Sequence, residues 1–484
     1  MHLSSLPNPN GIGTMGQCAR EFIDFLKKAG QKYWQILPVC PTGFGDSPYQ
    51  SFSTFAGNPY FIDLDELRQE GLLELSDYCN IDWESGQDRV NFGAMYHKRY
   101  PILRTAVSRF DRNNDEYIKF CEDNKEWLDD YALYMSIKDA NDGRAWYEWD
   151  EDLKKRNPQS LENAANQYSD NVSFWKVIQY LFFKQWNNIH KYANDNEVLI
   201  IGDLPIYVAL DSADVWSNPG LFQLDGELRP IGVAGCPPDG FSATGQLWGN
   251  PLYDWNVMKD RGYDWWIRRI EFACSIYDIL RLDHFRGFES YYSIPYGDTN
   301  ATNGHWEKGP GIELFRSIEA AIGKRHIIAE DLGFLTEPVR EMLSQSGFPG
   351  MKVFELGFDS RDSNSSEYLP HNCKKNAVAY VGTHDNDTIQ GWFCSASKED
   401  VRYACDYIGI KDMSQGHWEM MRTLWATIAD ITIVQAQDLL GLGSDSRMNT
   451  PSTLGCNWSW RAMPGSFNDE LAHKIRGYME TYGR

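Results

Sequence analysis

Short apolar runs that turn polar at their C-terminal ends recur along the chain, separated by stretches of helical periodicity. The runs are YWQILPV (33–39), VLIIGDLPIYV (198–208), DILRLDHF (278–285), HIIAEDLG (326–333), MKVFELGF (351–358), AVAYVGTHDNDT (377–388) and ITIVQAQDLL (431–440). Helix-like segments fit between most of them: CAREFIDFLKKAG, where Phe22, Phe25 and Leu26 share one face and Gly30 marks a stop, then DWWIRRIEFACSIY, GIELFRSIEAAIG, EPVREMLSQSG and HWEMMRTLWATIAD. This alternation predicts a parallel β/α architecture. Seven runs are present, and MHLSS, read as the stub of another strand, brings the total to eight, the number that a (β/α)8 TIM barrel requires.

Spacing along the chain divides it. Residues 1–62 and 196–484 carry the runs and are read as the catalytic barrel. Residues 63–195 contain no comparable strand but many helical stretches, such as EYIKFCEDNKEWLDDYALYMSIKDA, and predict a mainly helical insertion between strands two and three. Residues 204–275, rich in Gly, Pro and aromatics, predict a loop-rich insertion between strands three and four, within the barrel span. No internal repeat or low-complexity tract interrupts this plan.

Composition narrows the function. With 484 residues and 42% hydrophobic content, the chain has ample material for a large core. Its 68 acidic against 46 basic residues give a formal charge of -22, so a nucleic acid partner is not expected. Ten cysteines are scattered singly, with no spacing for a zinc site or a disulfide framework, which reads as a reduced, cytoplasmic protein. The opening MHLSSLPNPNGIG lacks the charged and apolar regions of a leader, and no stretch approaches the roughly 18 apolar residues of a membrane span. Eighteen Trp, 26 Tyr and 24 Phe suit a surface that grips a partly apolar, partly hydroxylated ligand, although core packing explains rings as well.

In a barrel, chemistry sits where strand C-termini converge. Here Asp203 closes strand three, Arg281 and Asp283 strand four, Glu330 and Asp331 strand five, and His384 with Asp385 strand seven. Side chains alternate along a strand, so Arg281 and Asp283 point the same way, an arrangement expected to keep the aspartate ionised. A structural ion pair would explain any one strand; the repetition argues for a shared mouth. Convergent carboxylates without metal-ligand spacing, among abundant aromatics, point to acid/base and nucleophilic work on a glycosidic bond. Alternation alone leaves open whether Glu330 or Asp331 faces the mouth.

These residues resemble those of the 4-alpha-glucanotransferases of the amylomaltase and disproportionating-enzyme family, relatives of the α-amylases. The resemblance runs through LSSLPNPNGIGTMG, WQILPVCPTGFGDSPYQSFSTFAGNPYFIDLD, IGDLPIYVALDSADVW, AGCPPDGFSATGQLWGNPLYDW, LRLDHFRGF, IIAEDLG, GTHDNDT and NTPSTLGCNWSWR. It implies transfer of an α-1,4-glucan segment to the 4-hydroxyl of an acceptor by a retaining double displacement. In that reading Asp283 is the nucleophile, Glu330 the general acid and then base, and Asp385 the hydrogen-bonding partner of the distorted sugar. Arg281 and His384 would hold nucleophile and substrate, supported by Asp203 and Tyr49, with Tyr49 also stacking on the sugar. Trp248 and Asn250, and the loop from Pro451 onward, would cover the mouth against water. The resemblance implies no cofactor and no metal, malto-oligosaccharides and starch- or glycogen-type glucans as partners, and a monomer or small homo-oligomer. Family members usually carry a few apolar residues before the segment matching MHLSSLP that form the first barrel strand, so a short or missing strand is expected here.

Other readings explain less. GIGTMG (Gly11, Gly13, Gly16) satisfies a dinucleotide-binding pattern, but no full apolar strand precedes it, and YWQILPVC ends without the acidic residue that would hold a ribose. In DRNNDEY a calcium loop would require glycine where Glu116 stands. HDND (384–387) is not expected to hold a metal, because strand alternation would send its side chains to opposite faces. A purely carbohydrate-binding protein would lack the carboxylates. An amylase-type hydrolase, using the same residues, is the nearest alternative.

Overall fold

The structure is a computed structural model that describes residues 1–238, 242–333, 335–361 and 365–484. Residues 239–241, within the AGCPPDGF motif, lie outside the described set. Eleven strands form: β1 (Tyr33–Gln35), β2 (Leu199–Leu204), β3 (Gly232–Cys236), β4 (Gln246–Pro251), β5 (Ile279–Leu282), β6 (Ser290–Pro295), β7 (His305–Lys308), β8 (Ile327–Ala329), β9 (Gly350–Val353), β10 (Ala377–Tyr380) and β11 (Ile431–Ile433). Every apolar run recognised in the sequence contains one strand of a seven-stranded parallel sheet in the order β1-β2-β5-β8-β9-β10-β11. The sheet curls into a nearly closed barrel.

The pleat separates two cores. Ile201, Ile328, Met351, Val353, Val378 and Tyr380 fill the lumen, whereas Ile200, Leu280 and Ile327 pack outward under the helices. Side chains two residues beyond a lumen residue share its side. Asp203 follows Ile201, Glu330 follows Ile328, and Arg281 and Asp283 follow Ile279, so one parity carries these four polar groups to the mouth. Adjacent registers then align them, with Asp203 opposite Arg281 and Arg281 opposite Ile328.

Among the described residues no eighth strand joins this sheet. Leu3–Ser5 forms a 3-10 turn, not a strand stub, closed by Ser5 N donating to His2 O and Leu6 N to Leu3 O. These local bonds consume the backbone groups a ladder would need, and Ser5 Oγ turns to the Trp460 carbonyl. Between β1 and β11 the wall instead encloses a cavity of about 70 Å³ lined by Met1, Gln35, Tyr380, Ile433, Gln435 and His384.

Helices fill residues 64–195 between β1 and β2, ending in the long Ser169–Asp195 helix. That helix reaches the barrel through polar pins. Buried Gln179 both donates to and accepts from Gly57, and Gln185 does the same at Asp63, fixing the segment that follows Tyr49. The strands β4-β3-β6-β7 form a second, antiparallel sheet beside the mouth, carrying Trp248 and Asn250. Among the described residues no helix is long and apolar enough to cross a membrane.

Gly202 lies next to Asp203, and a Cβ there would overlap the ring of Tyr277. Gly202→Ala is expected to destabilise the fold by about 1–3 kcal/mol and to lower activity by displacing Asp203. Thermal unfolding together with an activity assay checks this, and a variant as stable and active as the parent would refute the close approach.

Candidate active site

The mouth is organised around one buried guanidinium. Arg281 Nη1 donates to both oxygens of Asp203, at 2.7 and 2.6 Å, and lies 3.1 Å from Asp283 Oδ1. Arg281 and Asp203 are 3% and 2% exposed, whereas the Asp283 side chain is 26% exposed toward the opening. Tyr49 Oη donates to Asp203 Oδ2 at 2.7 Å, leaving its lone pairs for His384 Nε2 at 3.0 Å. That assigns the ring proton of His384 to Nε2, which also lies 3.4 Å from Asp385 Oδ1. Burial keeps the imidazole neutral. Tyr49 and His384 stack with centroids 5.3 Å apart, and Trp458 tilts against both.

Glu330 enters from β8. His284 N and Leu332 N donate to its two oxygens at 2.7 and 2.9 Å. The first of these bonds depends on His284 holding a left-handed conformation at φ 48°, which aims its N–H at the carboxyl. Asp331 faces away: its Oδ1 accepts from Met351 N at 2.6 Å beneath β9. Asp385 sits on a turn, not on an extended strand. His384 and Asp385 are therefore neighbours at its tip and not on opposite faces, a correction to the alternation expected from the sequence.

Electrostatics gives a second correction. Arg281 was expected to keep the Asp283 pKa low, but burial outweighs that attraction and pushes it up to about 7, with Asp203 and Asp385 adding like-charge repulsion. Burial pushes Glu330 higher, to about 8, against Arg281 and its two backbone donors. Glu330 thus holds its proton to the higher pH, the order that suits an acid beside a nucleophile.

The remaining predicted residues lie farther out. Trp248 meets His284 edge to face at 4.9 Å, and Asn250 donates to Val208 O at 2.9 Å while accepting from Gln50 at 3.1 Å. Pro451 stands on an exposed loop, away from the buried centre. That loop reaches the centre through its base, where Asn449 Nδ2 donates to Asp385 Oδ1 at 2.6 Å and Arg447 donates to the Asp385 carbonyl. Gln50, His284, Arg447 and Asn449 went unassigned in the sequence, although His284 adjoins Asp283 in RLDHFRG and Asn449 opens NTPSTLG.

A β/α barrel whose mouth gathers carboxyls around a buried arginine, walled by aromatic rings, defines an enzyme class that works on glycosidic bonds. The chain belongs to the 4-alpha-glucanotransferase family, whose model matches residues 1–465. It is 50% identical over 487 residues to the 4-alpha-glucanotransferase of Clostridium butyricum, with all of both chains covered. It is 39% identical to the chloroplastic/amyloplastic enzyme of Solanum tuberosum, covering all of this chain and 85% of that one. The amylomaltase from Streptococcus agalactiae in complex with acarbose superposes with a TM-score of 0.97 at 42% identity, covering 100% and 98% of the two chains. The Corynebacterium glutamicum amylomaltase, at 17% identity and TM-score 0.78, shares the fold over 99% of this chain and 74% of its own. The activity is therefore transglycosylation of α-1,4-glucans, and the hydrolase alternative is not favoured.

The two raised carboxyls set a pH dependence. Should the reaction need Asp283 ionised and Glu330 protonated, kcat/KM is expected to rise and then fall with pH, with both limbs well above the usual carboxylate value of about 4. A pH–rate profile with maltotriose checks this; an acid limb near the usual value would show that Arg281 prevails over burial.

Proposed function

We propose that Asp283 attacks the anomeric carbon of the donor glucan to give a covalent glycosyl-enzyme with net retention. The observation that carries this is the pairing of Asp283, quarter-exposed and beside a buried arginine, with Glu330, whose two oxygens are oriented by backbone donors and which keeps its proton to the higher pH. Glu330 protonates the departing glycosidic oxygen, then takes the proton from the acceptor 4-hydroxyl. Asp385, held by Asn449, hydrogen-bonds the hydroxyls of the distorted sugar in the transition state. Arg281 and Asp203 fix the nucleophile, and Tyr49 and His384 form an aromatic floor for the same sugar.

Substrates in this reading are malto-oligosaccharides and starch- or glycogen-type glucans, supported by the acarbose complex of the Streptococcus agalactiae relative. The helical segment within 63–195 serves as an insertion bracing the mouth loops, and the segment within 204–275 as the support of its aromatic wall. Ten singly scattered cysteines support a cytoplasmic location. Transfer requires that sugar, not water, reaches the intermediate, and Trp248 with the loop carrying Pro451 supplies the cover.

Two substitutions test these roles. Asp283→Asn is expected to lower transfer by at least about a thousandfold while leaving thermal unfolding near that of the parent. Retained activity would remove Asp283 from the nucleophile role. Trp248→Ala is expected to raise the fraction of intermediates lost to water. Chromatography of maltotriose digests would then show fewer long oligosaccharides relative to reducing ends; an unchanged ratio would leave Trp248 as packing alone.

A further inference from the structure

Three consecutive barrel strands each send a carboxyl to one buried spot beneath the catalytic turn. Glu355 follows β9, Asp387 follows β10, and Asp438 follows β11. Glu355 and Asp438 are 5% and 1% exposed. Glu355 Oε1 and Asp438 Oδ2 have no hydrogen-bond partner among the described residues. Glu355 is faced by the carboxyls of Asp438 and Asp387, by the cation Arg447 and by the amide of Asn386. An ionised Glu355 would add charge to a water-poor space that it shares with two further carboxyls. Burial and those carboxyls hold its pKa well above the ordinary 4.5.

The contacts connect this spot to the chemistry. A Cβ on Gly382 would lie 3.1 Å from Glu355 Oε1 and 3.0 Å from Asn386 Cβ, so the carboxyl supports the start of the turn directly. Asn386 Oδ1 accepts from Thr383 N and Oγ1 at 2.9 and 3.0 Å, and Thr383 Oγ1 accepts from Asp385 N at 3.3 Å. On the far side Asp438 Oδ1 accepts from Ile389 N at 2.7 Å, and Asp387 Oδ2 accepts from Ser444 Oγ at 2.7 Å. Glu355 thus faces Asn386, from which hydrogen bonds run through Thr383 to Asp385, with His384 beside it.

We propose that Glu355 is a positioning residue of the transfer reaction: its buried carboxyl supports the Thr383–Thr388 turn from below and so fixes His384 and Asp385 against the sugar. It does so as the uncharged acid. The inference rests on the role proposed for Asp385, and Asp385→Asn is measured in parallel so that the two fail separately.

Glu355→Gln keeps shape, neutrality and hydrogen bonding, and is expected to retain kcat within about twofold. Glu355→Leu, and Asn386→Ala at a half-buried position, are expected to lower kcat by about tenfold with KM within about twofold, because Asp385 acts in the transition state. Stability supplies a readout independent of catalysis. The unfolded chain releases the Glu355 proton near 4.5 but the folded chain retains it, so this group makes the parent lose stability as pH rises above that value, a contribution that the glutamine variant lacks. The unfolding-temperature gain of Glu355→Gln is thus expected to grow between about pH 5 and about pH 8.

Parental kcat in Glu355→Leu, or in Asn386→Ala should the leucine variant not fold, overturns the positioning role. A Glu355→Gln as impaired as Glu355→Leu, or a stability gain that does not vary with pH, overturns the uncharged acid. A fully active Asp385→Asn would instead overturn the role given to Asp385.

Discussion

A guanidinium buried between two carboxylates is the constraint on which the rest of the mouth depends. Arg281 cannot shed its proton, and once taken from water it needs acceptors in a planar fork. Asp203 supplies two and Asp283, on the more open side, a third; removing Asp203, the partner that shares its full burial, typically costs about 3–5 kcal/mol. The requirement reaches back into topology. Asp203 and Arg281 face each other only because β2 and β5 are neighbours in register, although 78 residues separate the two side chains in sequence. The chain between them, including β3 and β4 with Trp248, must leave the barrel and return to the adjacent slot.

One arginine and a neutral histidine do not balance the carboxyls that converge here. Asp203 takes the arginine in a two-oxygen contact; Asp283 shares it from the more open side; Glu330 sits beyond and is left to its backbone donors. Burial then favours the protonated forms of Asp283 and Glu330. The same rule extends one layer down, where Glu355 and Asp438 have buried oxygens without donors and Asp438 is pushed up to about 7. Burial and neighbouring carboxyls thus raise the cost of ionising the acids at that end of the barrel.

Much of this was legible in the chain because strand alternation is a property of covalent geometry. Each of the seven apolar runs contained its strand, and the polar residues at their ends did meet at one mouth. What alternation could not supply was which parity faces inward: the lumen cluster containing Ile328 places Glu330, and not Asp331, at the opening. It also failed where the chain stops being extended. His384 and Asp385 lie on a turn closed by Thr383 and Asn386, so a rule with period two did not apply to them. MHLSS was mistaken for a strand stub because composition says nothing of the local i to i+3 bonds that close it. The level of the Asp283 proton was misjudged for a related reason, since sequence shows a neighbouring charge but not the loss of solvent. Asn449 and Gln50 were invisible because they act through tertiary contacts.

The partition between sugar and water is best understood through the base of the exposed loop. Residues 450–456 are all exposed, and their internal bonds run to Asn457, which braces Thr450 and Thr453. Yet the two residues that anchor this loop, Arg447 and Asn449, bind the backbone and carboxyl of Asp385. The loop proposed to cover the mouth and the carboxylate proposed to contact the sugar therefore share one set of hydrogen bonds. Motion of the loop toward an acceptor would act directly on Asp385 Oδ1, and a sugar held by Asp385 would in turn favour one loop position. Water, too small to engage both, makes no such linkage. A glucan acceptor large enough to touch both the loop and Asp385 could thus be distinguished from water by contacts alone, without requiring that the mouth be dry at all times.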